Sequence, residues 1–280
     1  MTGLRTADVK VGDYSIRVNE TGDPSLPAVL WLHGSGPGVS ALSNWERLIT
    51  QLMPGFRNVA PDILGFGESS HPEDPPRGMA AYTELRAEVT AGLLDALGLD
   101  RVHVVGNSMG GMITLRMLQK YPGRFGRAVL MGSGGAPEPP TPDLVTMVRF
   151  YEDPTPAAMR KLMDNFIFDT AAFGGDLDAI AEDRVRKALR PEVKRSHLAT
   201  FDPSGSPLAF PPGQLAAITH EILVMHGRED RMLPVENSYY LARHLPNAQL
   251  HVLPHAGHWM QLEQAERFAD QAEIFFREKP

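Results

Sequence analysis

Two kinds of apolar pattern alternate along the first half of the chain. Short stretches rich in strand formers, Ala28-Val-Leu-Trp-Leu32, Arg57-Asn-Val-Ala60, Arg101 to Val105 and Ala128 to Met131, each read as a β-strand. Between them the spacing becomes helical, with Trp45, Leu48, Ile49 and Leu52 inside Asn44 to Met53, and Leu85, Val89, Leu93, Leu94 and Leu97 inside Tyr82 to Leu97. Gly98 supplies a C-terminal cap for the second of these, and Met109 to Gln119 forms a third helix that ends before Pro122. Strand followed by helix, repeated, predicts a mostly parallel sheet covered on both faces, an α/β fold. At the amino terminus, Val9-Lys-Val11 and Tyr14 to Val18 flank Gly12-Asp13 and predict an antiparallel hairpin.

Near residue 134 the pattern changes. Positions 137–213 hold 11 of the 24 prolines, and their periodic segments are helical only: Leu144 to Tyr151, Pro156 to Phe168, Leu177 to Leu189 and Glu192 to Ala199. Strand character returns at Ile222-Leu-Val-Met225 and Gln249 to Leu253, with helices over Val235 to His244 and Leu262 to Phe276. The expected organisation is an α/β core over 1–136 and 214–280, interrupted by a helical insertion over 137–213.

Composition narrows the function classes. A net charge of −7 argues against nucleic-acid binding, which draws its affinity from Lys and Arg on phosphates. It leaves room for a small anionic ligand, which needs only one or two local cations. With no Cys there is no thiolate nucleophile, disulfide or Cys-based metal site. The polar amino terminus and the lack of any run near the roughly 20 apolar residues of a membrane span point to a cytoplasmic protein without membrane contact.

The strongest chemical signal is Gly106-Asn107-Ser108-Met109-Gly110, a G-x-S-x-G motif between a predicted strand and a predicted helix. Such a turn is tight enough to require glycine two positions either side of Ser108, and it lifts the serine hydroxyl out of the chain. A serine needs a base, and the base needs a carboxylate to fix its tautomer. Both follow in the expected order. Ile222 to Met225 runs into His226-Gly-Arg-Glu-Asp230, and Gln249 to Leu253 runs into Pro254-His-Ala-Gly-His258. Asp230 and His258 are therefore the candidate acid and base.

Neighbouring residues compete for these roles. Glu229 reads as a surface carboxylate, and His103, His226 and His251 as hydrogen-bonded core or sheet residues. His255 and His258 stand three apart, but no Glu or third His completes a zinc pattern, so no metal is implied. The second half of an oxyanion hole is expected in His33-Gly-Ser-Gly-Pro-Gly38, which lacks the Gly-Lys-Ser or Gly-Lys-Thr of a phosphate-binding loop.

The whole chain resembles the α/β-hydrolase superfamily, through the serine, acid and base, through Pro61-Asp-Ile-Leu-Gly-Phe-Gly-Glu-Ser69, and through the helical insertion, which corresponds to a cap. Within it, His33-Gly-Ser-Gly-Pro-Gly-Val-Ser40 with Ser43-Asn44-Trp45, Gly106-Asn-Ser-Met-Gly-Gly111 and Gly257-His-Trp259 are similar to the meta-cleavage product hydrolases. That resemblance implies hydrolysis of a carbon–carbon bond in 2-hydroxy-6-oxo-hexa-2,4-dienoates formed by ring fission of catechols. It implies backbone N–H donors from Ser35 and Met109, polar substrate contacts from Asn44 and Asn107, and Trp259 lining the pocket. It also implies a cap arginine for the substrate carboxylate, best matched by Arg184 in Asp183-Arg-Val-Arg-Lys-Ala-Leu189. Arg186, Lys187, Arg190, Lys194 and Arg195 follow closely, as on any solvated basic face.

No cofactor is implied, and a homo-oligomer, dimer or larger, is the family's assembly. Direct attack by Ser108 and attack by a water that it assists both remain open. Met147, Phe150, Phe166, Phe168 and Met232 fit either a pocket wall or core packing. Carboxylesterase or lactonase activity on the same fold is the alternative enzyme, and a binding protein without catalysis the alternative class.

Overall fold

The computed structural model describes residues 3–171 and 176–278, so the ends of the expected core segments and residues 172–175 of the insertion lie outside the described residues. Eight strands, β1 (Arg5–Val11), β2 (Tyr14–Thr21), β3 (Ala28–Leu32), β4 (Arg57–Pro61), β5 (Val102–Asn107), β6 (Phe125–Met131), β7 (Ile222–Gly227) and β8 (Ala248–Leu253), form one sheet. Its order is β1-β2-β4-β3-β5-β6-β7-β8. The hairpin strand β2 runs antiparallel to β1 and β4, and from β4 to β8 every pairing is parallel.

The continuous apolar runs work because both sheet faces are covered. In β3, β6 and β7 alternate side chains go to opposite sides. Leu30, Leu32, Ala128, Leu130, Ile222 and Val224 enter one core, while Val29, Trp31, Val129, Met131, Leu223 and Met225 enter the other. Helices α1 (Ala41–Arg47), α2 (Met79–Ala96) and α3 (Met109–Lys120) follow β3, β4 and β5. Between β6 and β7 the described residues contain no strand, but five helices: α4 (Pro142–Val148), α5 (Pro156–Phe166), α6 (Leu177–Ala188), α7 (Pro191–Thr200) and α8 (Pro212–Ala216).

The first three of these helices build a third apolar cluster, closed by Met232 and Trp259 from the loops after β7 and β8. Phe210 and Leu215 instead belong to the first core, and Phe210 N–H donates to Gly135 O at 2.8 Å, so the expected boundary at 213 falls within α8. The chain ends with α9 (Glu236–His244), α10 (Met260–Glu263) and α11 (Ala265–Arg277).

Two expected helices are interrupted. Asn44 to Met53 is α1 followed by a wider π-turn over Leu48–Leu52, where Thr21 Oγ1 donates to Ile49 O at 2.6 Å. The wider turn keeps Leu48, Ile49 and Met53 in one core. Leu262 to Phe276 is broken at Gln264, whose side-chain amide donates to Pro254 O and His255 O at 2.6 and 2.8 Å. The break clamps the loop that carries His258.

Candidate active site

The carboxyl ends of β3, β5, β6, β7 and β8 converge on one place, where open parallel sheets bind ligands. Ser108 follows β5 with φ 54° and ψ −113°, a left-handed conformation that a non-glycine residue holds only under constraint. The constraint is steric. A Cβ on Gly106 would meet Gly110 O at 2.5 Å, and one on Gly110 would meet Leu32 O at 2.3 Å. The elbow is anchored by Ser108 N–H donating to Met131 O at 3.0 Å.

Asp230 sits on a turn after β7. Its Oδ1 accepts the N–H groups of Met232 and Leu233 at 2.8 and 3.0 Å, and its Oδ2 accepts His258 Nδ1–H at 2.6 Å. Burial alone would raise the Asp230 carboxyl. The facing His258 charge and the hydrogen bonds from His226 and His258 overcome that and hold it well below the usual carboxylate range. Asp230 therefore stays ionised and fixes Nδ1 of His258 as the protonated nitrogen, leaving Nε2 as the basic one.

Gly132, at the end of β6, joins the two halves of the site. A Cβ there would lie 3.3 Å from the His258 ring and 3.4 Å from Asp230 Oδ2, one residue on from the carbonyl that anchors Ser108. Among the described residues Ser108 Oγ has no hydrogen-bond partner, so the structure joins Asp230 to His258 directly and leaves Ser108 free-standing beside them. Serine–base contacts of this kind often tighten only when substrate arrives.

The loop after β3 faces the elbow. Gly34 is pressed against Asn107 and Ser108, where a Cβ would stand 2.6 Å from Asn107 Oδ1. His33 holds this loop from inside, donating from Nδ1 to Gly34 O at 2.7 Å and accepting Ile63 N–H on Nε2 at 3.0 Å. The Ser35 and Met109 N–H groups have no acceptor among the described residues, and both residues line the cavity that exposes Ser108. Both N–H groups are thus available to a bound group.

A cluster of polar groups surrounds the same loop. Arg184, on α6, is 7% exposed and donates from Nε and Nη2 to Pro37 O at 3.3 and 3.2 Å. Its guanidinium lies 5.2 Å from the Trp259 ring centre. No carboxylate pairs with it among the described residues, and burial lowers its pKa to about 10. Asn44 Nδ2 donates to Asn107 Oδ1 at 3.4 Å, and Asn107 Nδ2 to Met131 O at 3.1 Å. Trp259 stacks on Phe166, 4.8 Å between ring centres, and Phe166 lies 5.5 Å from the His258 ring.

A cavity of about 540 Å³ opens over Ser108, walled by Met112, Leu144, Val145, Val148, Phe201 and Leu208. The five residues that fit either a pocket wall or core packing are not in its lining. Met147, Phe150, Phe166 and Met232 are buried in the third apolar cluster, and Phe168 is 45% exposed on the surface.

Glu229 is half-buried, not a plain surface residue, and accepts Ala256 N–H at 3.2 Å, tying the acid loop to the base loop. His103 accepts Arg127 N–H and His251 meets Gln271, as sheet histidines do. Among the described residues no three His, Asp or Glu side chains are grouped to hold a metal ion, and no helix is long and apolar enough to cross a membrane.

Two residues of the site receive no functional role from the sequence, where His226 reads only as a hydrogen-bonded core or sheet residue. His226 Nε2 lies 2.9 Å from Leu233 O and 3.3 Å from Asp230 Oδ2, so it carries the proton and shares it between them. Arg86, fully buried on α2 beneath the elbow, donates to Leu64 O and Thr200 Oγ1 and lies 3.3 Å from Met109 Sδ. A histidine four residues before the acid was the available signal for the first; Arg86 follows only from tertiary packing.

The α/β-hydrolase fold model matches residues 27–265. The chain is 39% identical over 255 residues to the 2-hydroxymuconate semialdehyde hydrolase of Pseudomonas sp. (strain CF600), covering 89% of this chain and 87% of that one. The chain belongs to the meta-cleavage product hydrolases of the α/β-hydrolase fold family. Among solved structures this hydrolase is similar to the 2-hydroxy-6-oxo-6-phenylhexa-2,4-dienoate hydrolase from Rhodococcus sp. strain RHA1, with TM-score 0.94, 38% identity and coverage of 99% and 100%. It is also 35% identical over 275 residues to a 2-hydroxy-6-oxononadienedioate/2-hydroxy-6-oxononatrienedioate hydrolase of Dechloromonas aromatica, covering 93% and 90%.

The buried histidines of this hydrolase give its stability a pH dependence. Burial pushes His33 and His197 down to about 4, against about 6.5 in an unfolded chain. The folded state refuses protons that the unfolded state accepts, so their contribution is complete above about pH 6.5 and drains away as pH falls towards 4. Between pH 7 and pH 5 the unfolding free energy is expected to fall by about 3 kcal/mol. Urea unfolding at the two pH values checks this, and coincident midpoints would contradict it.

Proposed function

We propose that this hydrolase cleaves the C5–C6 bond of a 2-hydroxy-6-oxo-hexa-2,4-dienoate with Ser108, His258 and Asp230 as its triad. The helical insertion then acts as a cap. The observation that carries the reading is Arg184: a buried guanidinium with no carboxylate of its own among the described residues, beside the loop that faces Ser108, is completed by a substrate carboxylate. A simple esterase has no use for that charge.

In this reading Arg184 binds the carboxylate and the adjacent 2-oxygen, with Asn44, Asn107 and Trp259 around the dienoate. The dienol becomes its keto tautomer, which makes C5 a leaving carbon able to delocalise an electron pair into the 2-oxo group. Ser108, with His258 as base, drives addition to the C6 carbonyl, and the oxyanion meets the Ser35 and Met109 N–H groups. The C5–C6 pair leaves with C5. Water supplies the hydroxyl of the carboxylic acid, and the other product is 2-hydroxypenta-2,4-dienoate. Homo-oligomeric assembly and a cytoplasmic location complete the proposal. The test sets the loss of the yellow dienolate colour against p-nitrophenyl ester hydrolysis. Faster dienolate turnover is expected, and fast ester turnover with no bleaching would favour a carboxylesterase or lactonase.

Within the triad His226 is a positioning residue, because it donates to the same oxygen of Asp230 that receives His258. His226→Met removes that donor, and kcat is expected to fall about tenfold, the scale of one hydrogen bond to a charged group. KM stays put. His226→Gln, whose amide returns an N–H near Nε2, is expected to recover most of the loss; equal loss in both variants would leave His226 a packing role only.

A further inference from the structure

Overall similarity does not choose a substrate for this enzyme. Its relatives include one named for a 6-phenyl dienoate and one named for a dienedioate, at 38% and 35% identity. The two substrates differ at C6: the first carries a neutral ring, the second a side chain ending in another carboxylate. The wall of the cavity over Ser108 distinguishes them.

Resting on the function proposed above, we infer that this enzyme is selective for dienoates bearing a neutral aryl group at C6 and rejects those bearing a second carboxylate there. The cavity lining contains no Lys, Arg or His among the described residues. Its two ionisable side chains are both acids, Glu138 and Asp202. Asp202 is occupied: Oδ1 accepts the Ser204 N–H and hydroxyl at 2.8 and 2.7 Å, and Oδ2 lies 3.6 Å from Arg77, an exposed side chain outside the lining. Glu138 has no ion pair among the described residues. A second substrate carboxylate would leave water for an apolar wall and meet like charge, with no cation to offset either cost. Arg184 does not help, because it does not line this cavity and serves the first carboxylate.

Size and surface favour a ring over a small alkyl group. An apolar cavity of roughly 150 Å³ accommodates benzene, and this one is about 540 Å³. A phenyl ring fits within it and covers more of its apolar wall than a methyl group can. Met79, Met112, Val148, Phe201 and Leu208 offer apolar contact, and thioethers pack well on aromatic rings.

The test measures kcat/KM by dienolate bleaching for three substrates: 6-phenyl, 6-methyl and the nonadienedioate. The 6-phenyl compound is expected to exceed 6-methyl at least tenfold and the dianion at least about 100-fold. In Glu138→Lys, an exposed position, the ratio of dianion to 6-phenyl turnover is expected to rise at least tenfold. Equal turnover of the phenyl and dianionic substrates, or a preference for methyl, would overturn the selectivity while leaving the hydrolase reading intact. Turnover of none of the three would overturn that reading and the selectivity with it.

Discussion

Ser108→Ala is expected to lower kcat on a 6-phenyl dienoate by about 10⁴-fold or more while leaving substrate affinity within a few fold. The size follows from triads acting as units: removing the nucleophile forfeits the action of its base as well. Affinity survives because Arg184, Asn44 and Trp259 are untouched and the elbow is shaped by Gly106 and Gly110, not by the serine hydroxyl. Stopped-flow mixing of dienolate with the variant separates the two effects, since binding perturbs the chromophore and cleavage destroys it. Retention of even a tenth of the wild-type rate would remove Ser108 from the chemistry.

Arg184→Gln is the second large effect, and its direction differs between substrates. Losing a buried charge-assisted pair costs about 3–4 kcal/mol, so kcat/KM for a dienoate is expected to fall 10²- to 10³-fold. A neutral p-nitrophenyl ester never meets the guanidinium and should lose less than a few fold. The folded enzyme should not suffer either. Burial disfavours the charged form of Arg184, which remains protonated at neutral pH because its pKa is still about 10, and the bonds to Pro37 O offset that cost only in part. A thermal midpoint equal to or above wild type is expected. Equal losses on ester and dienoate, or a lower midpoint, would mean that Arg184 serves structure and not substrate.

How much of this could be read from the sequence depended on whether the constraint was local. The elbow is legible because a turn that tight writes its steric demand into glycines two residues either side of Ser108. Asp230 and His258 are legible because each lies in the loop after a strand whose apolar run is unmistakable. Arg184 was not separable from Arg186 and Lys187 by pattern. The structure separates them, because the latter two pair with Asp183 at the surface while Arg184 turns inward.

Non-local features left no such trace. The π-turn depends on Thr21 reaching Ile49, and the break at Gln264 on a loop 10 residues earlier. The cavity wall draws on residues 200–208, a stretch that is mostly irregular and has no period to read. From the sequence alone Met147, Phe150 and Met232 fit either a pocket wall or core packing, and the third apolar cluster decides for packing.

The central claim, carbon–carbon bond hydrolysis at the Ser108 site, is tested most directly by identifying the products. Purified protein is incubated with 2-hydroxy-6-oxo-6-phenylhexa-2,4-dienoate and the mixture is resolved by mass spectrometry. The account predicts benzoate and 2-hydroxypenta-2,4-dienoate in equal amounts, with one oxygen of the benzoate drawn from labelled water. Recovery of intact dienoate, under conditions where the same preparation hydrolyses p-nitrophenyl esters, would contradict it.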